Sequence, residues 1–205
     1  MTIIKELVFS KTVVEFTAVA KEYCAFIENS TDFKLKQFIQ VANSLLPLLY
    51  YKASLLPSTS PMYEQVNQKH VTEEHYMALH ERTKHFLGQY DAFPEVFDKR
   101  TAETDDQFAA SLSEYLCDIY QDLKDFTMIY QNGQAEEIND ALWECKLNFG
   151  DFWGIRLANS IRAIHQLAYS DLELVTESPK GSEQNDNIDT SDWFITRRQN
   201  EMDNK

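Results

Sequence analysis

Apolar residues return along the chain at intervals of three and four, the spacing that lines one face of an α-helix. The clearest run is Phe108, Leu112, Tyr115, Leu116, Ile119, Leu123, Phe126 and Tyr130. Thr104 and Gln107 stand at capping-box spacing before it, Asp105 and Asp106 suit the positive end of its dipole, and Asn132 with Gly133 should stop it. An earlier stripe of Val13, Phe16, Ala20, Tyr23 and Ile27 predicts a helix from Lys11 to Glu28 behind a Ser10 cap. Asn29 to Asp32 breaks it, and Leu35, Phe38, Ile39, Ala42, Leu46 and Leu49 predict a second helix. Pro47 lies inside that pattern and should kink it, because it lacks a donor and crowds the carbonyl of Asn43. A loop from Leu56 to Lys69 precedes a third helix, Thr72 to Tyr90, with Tyr76, Leu79, Thr83, Leu87 and Tyr90 inward.

The last helix runs from Ala135 to about Tyr169 and is apolar on two sides. On a wheel of about 100° per residue, Ile138, Leu142, Cys145, Phe149, Phe152, Ala163 and Leu167 share one face. Trp143, Leu147, Gly150, Gly154, Ile161 and Ala168 gather about 150° away. Such a helix belongs between neighbours. Each glycine costs it about 1 kcal/mol relative to alanine. Gly150 and Gly154 are expected to let a neighbouring helix or ring approach the backbone, a kink near Gly150 being the alternative. Arg156 falls in the middle of the first apolar face. A guanidinium cannot shed its charge, so it needs carboxylates or carbonyls. The stripe Glu114, Asp118, Asp122 and Asp125 on the preceding helix offers them. Asn159 and Ser160 should add hydrogen bonds, and Trp153 a packing wall.

These elements predict an all-α fold: an antiparallel helical bundle of about five long helices with a polar C-terminal tail. The bundle would occupy residues 1–171. Residues 172–205 form an acidic polar tail with one apolar knot, Trp193, Phe194 and Ile195, which could dock on the body or on a partner.

Composition narrows the roles. A net charge of −14 opposes nucleic acid and anionic bilayers, so neither is expected as a partner. Cys24, Cys117 and Cys145 are odd in number and far apart, which suits a reducing, cytoplasmic setting. The longest apolar run, Leu45 to Tyr51, is far short of the roughly 20 residues of a membrane span.

Site motifs are sparse. His70, His75, His80 and His85 recur every five residues, which turns successive side chains about 140° apart on a helix and spoils a metal array. His80 falls on the apolar face as a core histidine, and Glu81 with His85 reads as a solvated pair. The Glu-x-x-His pairs of a di-iron bundle are missing, as are GxSxG, P-loop and GxGxxG sequences. No cofactor, metal or catalytic residue is assigned, which leans against an enzyme.

The stretches "VVEFTAVAKEYCAFIE", "LLPLLYYKASLLP", "VTEEHY" and above all "ALWECKLNFGDFWGIRLANSIRAIHQL" resemble the bacterial domain-of-unknown-function family 5063. Trp143–Glu144, Trp153–Gly154 and the run from Arg162 to His165 carry most of the likeness, which covers most of residues 11 to 170. The resemblance implies an intracellular all-helical domain without a known activity. Family members often place His beside the Trp-Gly pair, where this chain has Phe152 and Arg156, so no shared metal or acid–base site is carried over. Two functions are left in play. The first is an intracellular protein-interaction or regulatory module, with an unknown protein partner or self-association. The alternative is a small-molecule or anion-binding bundle with an interior polar site at Arg156.

Overall fold

The computed structural model describes residues 2–63, 67–94 and 109–170. Among them are seven α-helices: α1 (Thr2–Val8), α2 (Lys11–Glu28), α3 (Leu35–Ser54), α4 (Glu73–Leu87), α5 (Leu112–Asn132), α6 (Ala135–Asn148) and α7 (Gly154–Ala168). Short 3-10 turns cover Ser30–Asp32 and Gly88–Tyr90, and a π turn, Phe149–Trp153, joins α6 to α7. One small antiparallel ladder pairs β1 (Ala92–Pro94) with β2 (Ala109–Ser111), Phe93 opposite Ala110.

The fold is all-α, as its periodicity predicts. α5 is the central helix and packs against α2, α4, α6 and α7, while α3 lies on α7 and α2. Two residues separate α5 from α6 and a short 3-10 turn separates α2 from α3, so each pair packs as antiparallel neighbours. The stripes bury as they should: Val13, Phe16, Ala20, Tyr23 and Ile27 from α2, with Leu112, Leu116, Ile119 and Leu123 from α5. At one end Phe26 stacks on Phe38, centroids 4.5 Å apart, with Phe33 and Phe86 edge-on to Phe38.

Boundaries show where local chemistry overrides pattern. α2 has the predicted limits, although Ser10 makes no side-chain cap bond. α1 carries no stripe long enough to be read. α3 runs on through Pro47, whose ring is exposed, to Ser54. α4 starts behind Thr72, whose hydroxyl accepts from the His75 amide. It stops at Gly88, where φ is +53° and a side chain would be strained.

α5 begins at Leu112, later than the Thr104 start that its capping-box spacing suggests. The reason is Asp91. This buried carboxylate accepts the Ser113 amide at 2.7 Å and the Ser111 hydroxyl at 2.9 Å, and its backbone carbonyl accepts the Leu112 amide. Ser111 in turn caps the Glu114 amide. The cap itself is the local Ser111, and the distant Asp91 braces it, which a local window cannot see. Thr104, Gln107 and Phe108 lie outside the described residues, as do the tail and its Trp193, Phe194 and Ile195 knot.

Candidate functional site at the π turn

The Gly154 amide donates to the carbonyl of Phe149, five residues back. A π turn takes in about one residue more than an α turn, so everything after it is rotated by about 100° relative to an unbroken helix. The burial record follows that rotation. Ile138, Leu142 and Cys145 face the core before the turn; Trp153, Leu157, Ser160 and Ile164 face it afterwards. The unbroken wheel would have continued the inner face through Phe149, Phe152 and Arg156. Instead Phe149 is half-buried, Phe152 is 38% exposed, and the Arg156 side chain is 25% exposed at the edge. Arg156 is therefore not in the bundle interior, and the interior polar site expected there is corrected to a surface one.

The two glycines have different explanations, and neither is a pressing neighbour helix. A Cβ at Gly150 would meet open space. At Gly154 a Cβ would collide with the carbonyl oxygen of Phe149 and sit 3.0 Å from that residue's ring. The π turn draws this carbonyl in, so its own geometry requires the glycine.

Around Arg156 the side chains form an ordered set. Its Nε donates to Asp118 Oδ2 at 2.6 Å, and the Tyr76 hydroxyl donates to Asp118 Oδ1 at 2.7 Å. The guanidinium lies 3.9 Å from the Phe152 ring centre and 5.3 Å from that of Tyr115. Phe93 from β1 abuts Tyr115 edge-on, and His80 stacks on Tyr76. Burial, and then the bond to Asp118, push the Tyr76 hydroxyl well above its ordinary pKa, so it stays a proton donor. Neither terminal amino group of Arg156 has a hydrogen-bond acceptor among the described residues. The plane is fixed by Asp118 on one edge and stacked by rings, leaving the outer fork for an acceptor from outside.

The other expected participants are placed differently. Ser160 donates to the backbone carbonyl of Arg156, one turn back, not to its guanidinium. Asn159 is buried on the same helix. Trp153 is not the wall: its ring is fully buried, its Nε1 donates to the Cys145 carbonyl, and Phe152 takes the place against the arginine. Of the acidic stripe only Asp118 pairs with Arg156. Glu114 is exposed in the first turn of α5. Asp122 accepts from Asn148 at 2.5 Å, and burial raises its pKa.

Three further carboxylates, Asp125, Asp140 and Glu144, hold the connection between α3 and α4. Asp125 accepts the His70 and Val71 amides, and Asp140 accepts those of Met62 and Tyr63. Glu144 accepts from Asn67 and Lys69. Burial alone would pull Lys69 down, but Glu144, Asp125 and Asp122 outweigh it and hold its pKa above the ordinary value. These residues are structural anchors. Among the described residues no group of three or more His, Cys, Asp or Glu side chains could hold a metal ion. The three cysteines are buried free thiols, and burial pushes Cys117 up to about 12, so none is a ready nucleophile.

Charge is segregated. α5 and α6 carry eight carboxylates between them, whereas α3 and α7, which pack on each other, carry none. The fork of Arg156 and the exposed Ile155 thus sit on an acid-free helix of an acidic protein, and the exposed Phe152 sits just before it in the π turn, next to the exposed Asp151.

Residues 7–170 match the family described as Domain of unknown function (DUF5063), and the chain belongs to it. It is similar to protein BF1032 from Bacteroides fragilis, known from a crystal structure, with 37% identity over 82% of this chain and 99% of that one, at a TM-score of 0.72. Among curated proteins none matches. No helix among the described residues is long and apolar enough to cross a membrane.

Proposed function

We propose that this chain is a protein-interaction module of the bacterial cytoplasm whose contact face is the outer side of the π turn and α7. One observation carries the reading: the π turn rotates Phe152 outward beside an arginine whose terminal amino groups have no acceptor among the described residues. Ile155, 51% exposed, extends the face. Aromatic residues and arginine supply most of the energy in protein interfaces, because each offers large area or several donors at low entropy cost. Asp118, Tyr76 and Tyr115 hold the arginine before any partner arrives, which lowers the cost of binding. Three buried free thiols support the reducing compartment.

The test is native purification of wild type and Phe152→Glu, with Val14→Glu as a control on another exposed apolar position. A partner protein retained by wild type and by the Val14 variant, and lost from the Phe152 variant at unchanged Tm, is the expected result. Equal retention by all three, or no partner with any, contradicts it. The open fork also favours a second reading, a small carboxylate or phosphate held at Arg156. A native mass spectrum would then show a small added mass that Arg156→Met removes.

A further inference from the structure

The chain itself contains a segment whose chemistry matches the Arg156 face. Resting on the interaction reading above, we propose that Asp192, Trp193, Phe194 and Ile195 dock on Arg156, Phe152 and Ile155. The C-terminal segment would then compete with the partner for the same surface. Asp192 supplies the carboxylate that the outer fork of Arg156 lacks among the described residues, and two planar amino groups can bind a carboxylate bidentately. The adjoining Trp-Phe-Ile run supplies apolar area for Phe152 and Ile155.

Charge points the same way. Residues 171–192 carry seven carboxylates and one lysine. α7 holds Arg156 and Arg162 with no acidic residue, the π turn before it adding the single carboxylate of Asp151, while α5 and α6 with eight carboxylates would repel such a segment. Another exposed aromatic with a cation beside it, Tyr51, does not offer the same site. Its Lys52 is already bound to Glu15 at 2.7 Å.

Reach is sufficient. From Ser170 back to Arg156 is about 20 Å along the helix axis, at about 1.5 Å per residue. The chain between Ser170 and Asp192 can extend to about 70 Å. A tether of that length gives an effective concentration on the order of millimolar, so a weak contact is enough to occupy the face. A partner must displace it, which makes partner binding weaker than the bare face would allow.

Disulfide trapping in the full chain tests this directly. Ile155→Cys is paired with Thr196→Cys, and Val14→Cys with Thr196→Cys serves as the reference; the native thiols are buried and inert. Intramolecular cross-linking at position 155 should run at least about tenfold faster than at position 14, by the effective concentration of a docked tail. Adding Asp192→Lys should remove most of that advantage. Equal rates for the two pairs, or no change with Asp192→Lys, would overturn the proposal. If the rates are equal while Phe152→Glu still loses its partner, tail docking falls and the interaction reading stands. If position 155 cross-links fast while no partner is ever retained, docking stands and that reading falls.

Discussion

α5 keeps one phase from Leu112 to Tyr130, whereas the stretch from Ala135 to Ala168 changes phase in its middle. The same spacing rule reads the first correctly and, in the second, places Ile138, Leu142, Cys145 and Ala163 inward as observed but misplaces Phe152 and Arg156. The difference is a single hydrogen bond, from the Gly154 amide to Phe149, that admits an extra residue. Periodicity describes a helix only while its ladder is uniform. Where the ladder changes step, residues meant for the core by pattern come out at the surface, and here they are an aromatic ring and an arginine.

The largest effect should come from Gly154→Ala. Its methyl would strike the Phe149 carbonyl, so the turn must distort or revert, costing about 2–4 kcal/mol in a denaturant melt. A neutral result would erase the contrast between the two regions. Next comes Asp118, whose side chain is only 13% exposed and serves both Tyr76 and Arg156. Asp118→Ala should cost about 2–3 kcal/mol, and Arg156→Met about 1, since methionine can still pack between Phe152 and Tyr115. Equal losses in equilibrium unfolding would mean that the arginine is held more deeply than its exposure shows.

Much of this molecule was legible. The α2 limits, the α5 stop at Gly133, the α6 start and the Asp118–Arg156 pair all follow from local periodicity, capping residues and the need of a guanidinium for a carboxylate. What was not legible depends on atoms far apart in sequence or on backbone pairing. The Ser111 cap of α5 is braced by the distant Asp91, and the acidic stripe divides its members among Arg156, Asn148 and a loop. Two glycines four apart within Leu147 to His165 hinted at irregularity, and the kink alternative came nearer the truth than close packing. The expected division into residues 1–171 and a tail concerns positions outside the described residues at its far side.

Gly150 offers the smaller, opposite effect. Its Cβ would meet nothing, so Gly150→Ala should stabilise by about 0.5–1 kcal/mol through helix propensity. A loss there would mean that the turn uses Gly150 too.

The weakest expected effect concerns Asp122, on the regular helix. Burial raises its folded pKa above the unfolded value, so the folded state holds the proton more tightly. Its contribution to stability therefore falls as pH rises through the carboxylate range and is least favourable at neutral pH. Asp122→Asn keeps an acceptor for Asn148 and should raise stability at pH 7 by about 0.5 kcal/mol. The gain should vanish near about pH 3, where both states are protonated. A gain that grew toward acid would reverse the assignment.

One backbone bond sets the phase of α7, and NMR reads it directly. A long-range experiment correlating amide nitrogens with carbonyl carbons across hydrogen bonds should connect Gly154 to Phe149, the pairing of a π turn. A connection from Gly154 to Gly150, the pairing of a continuous α-helix, would return Phe152 and Arg156 to the inner face and contradict the account.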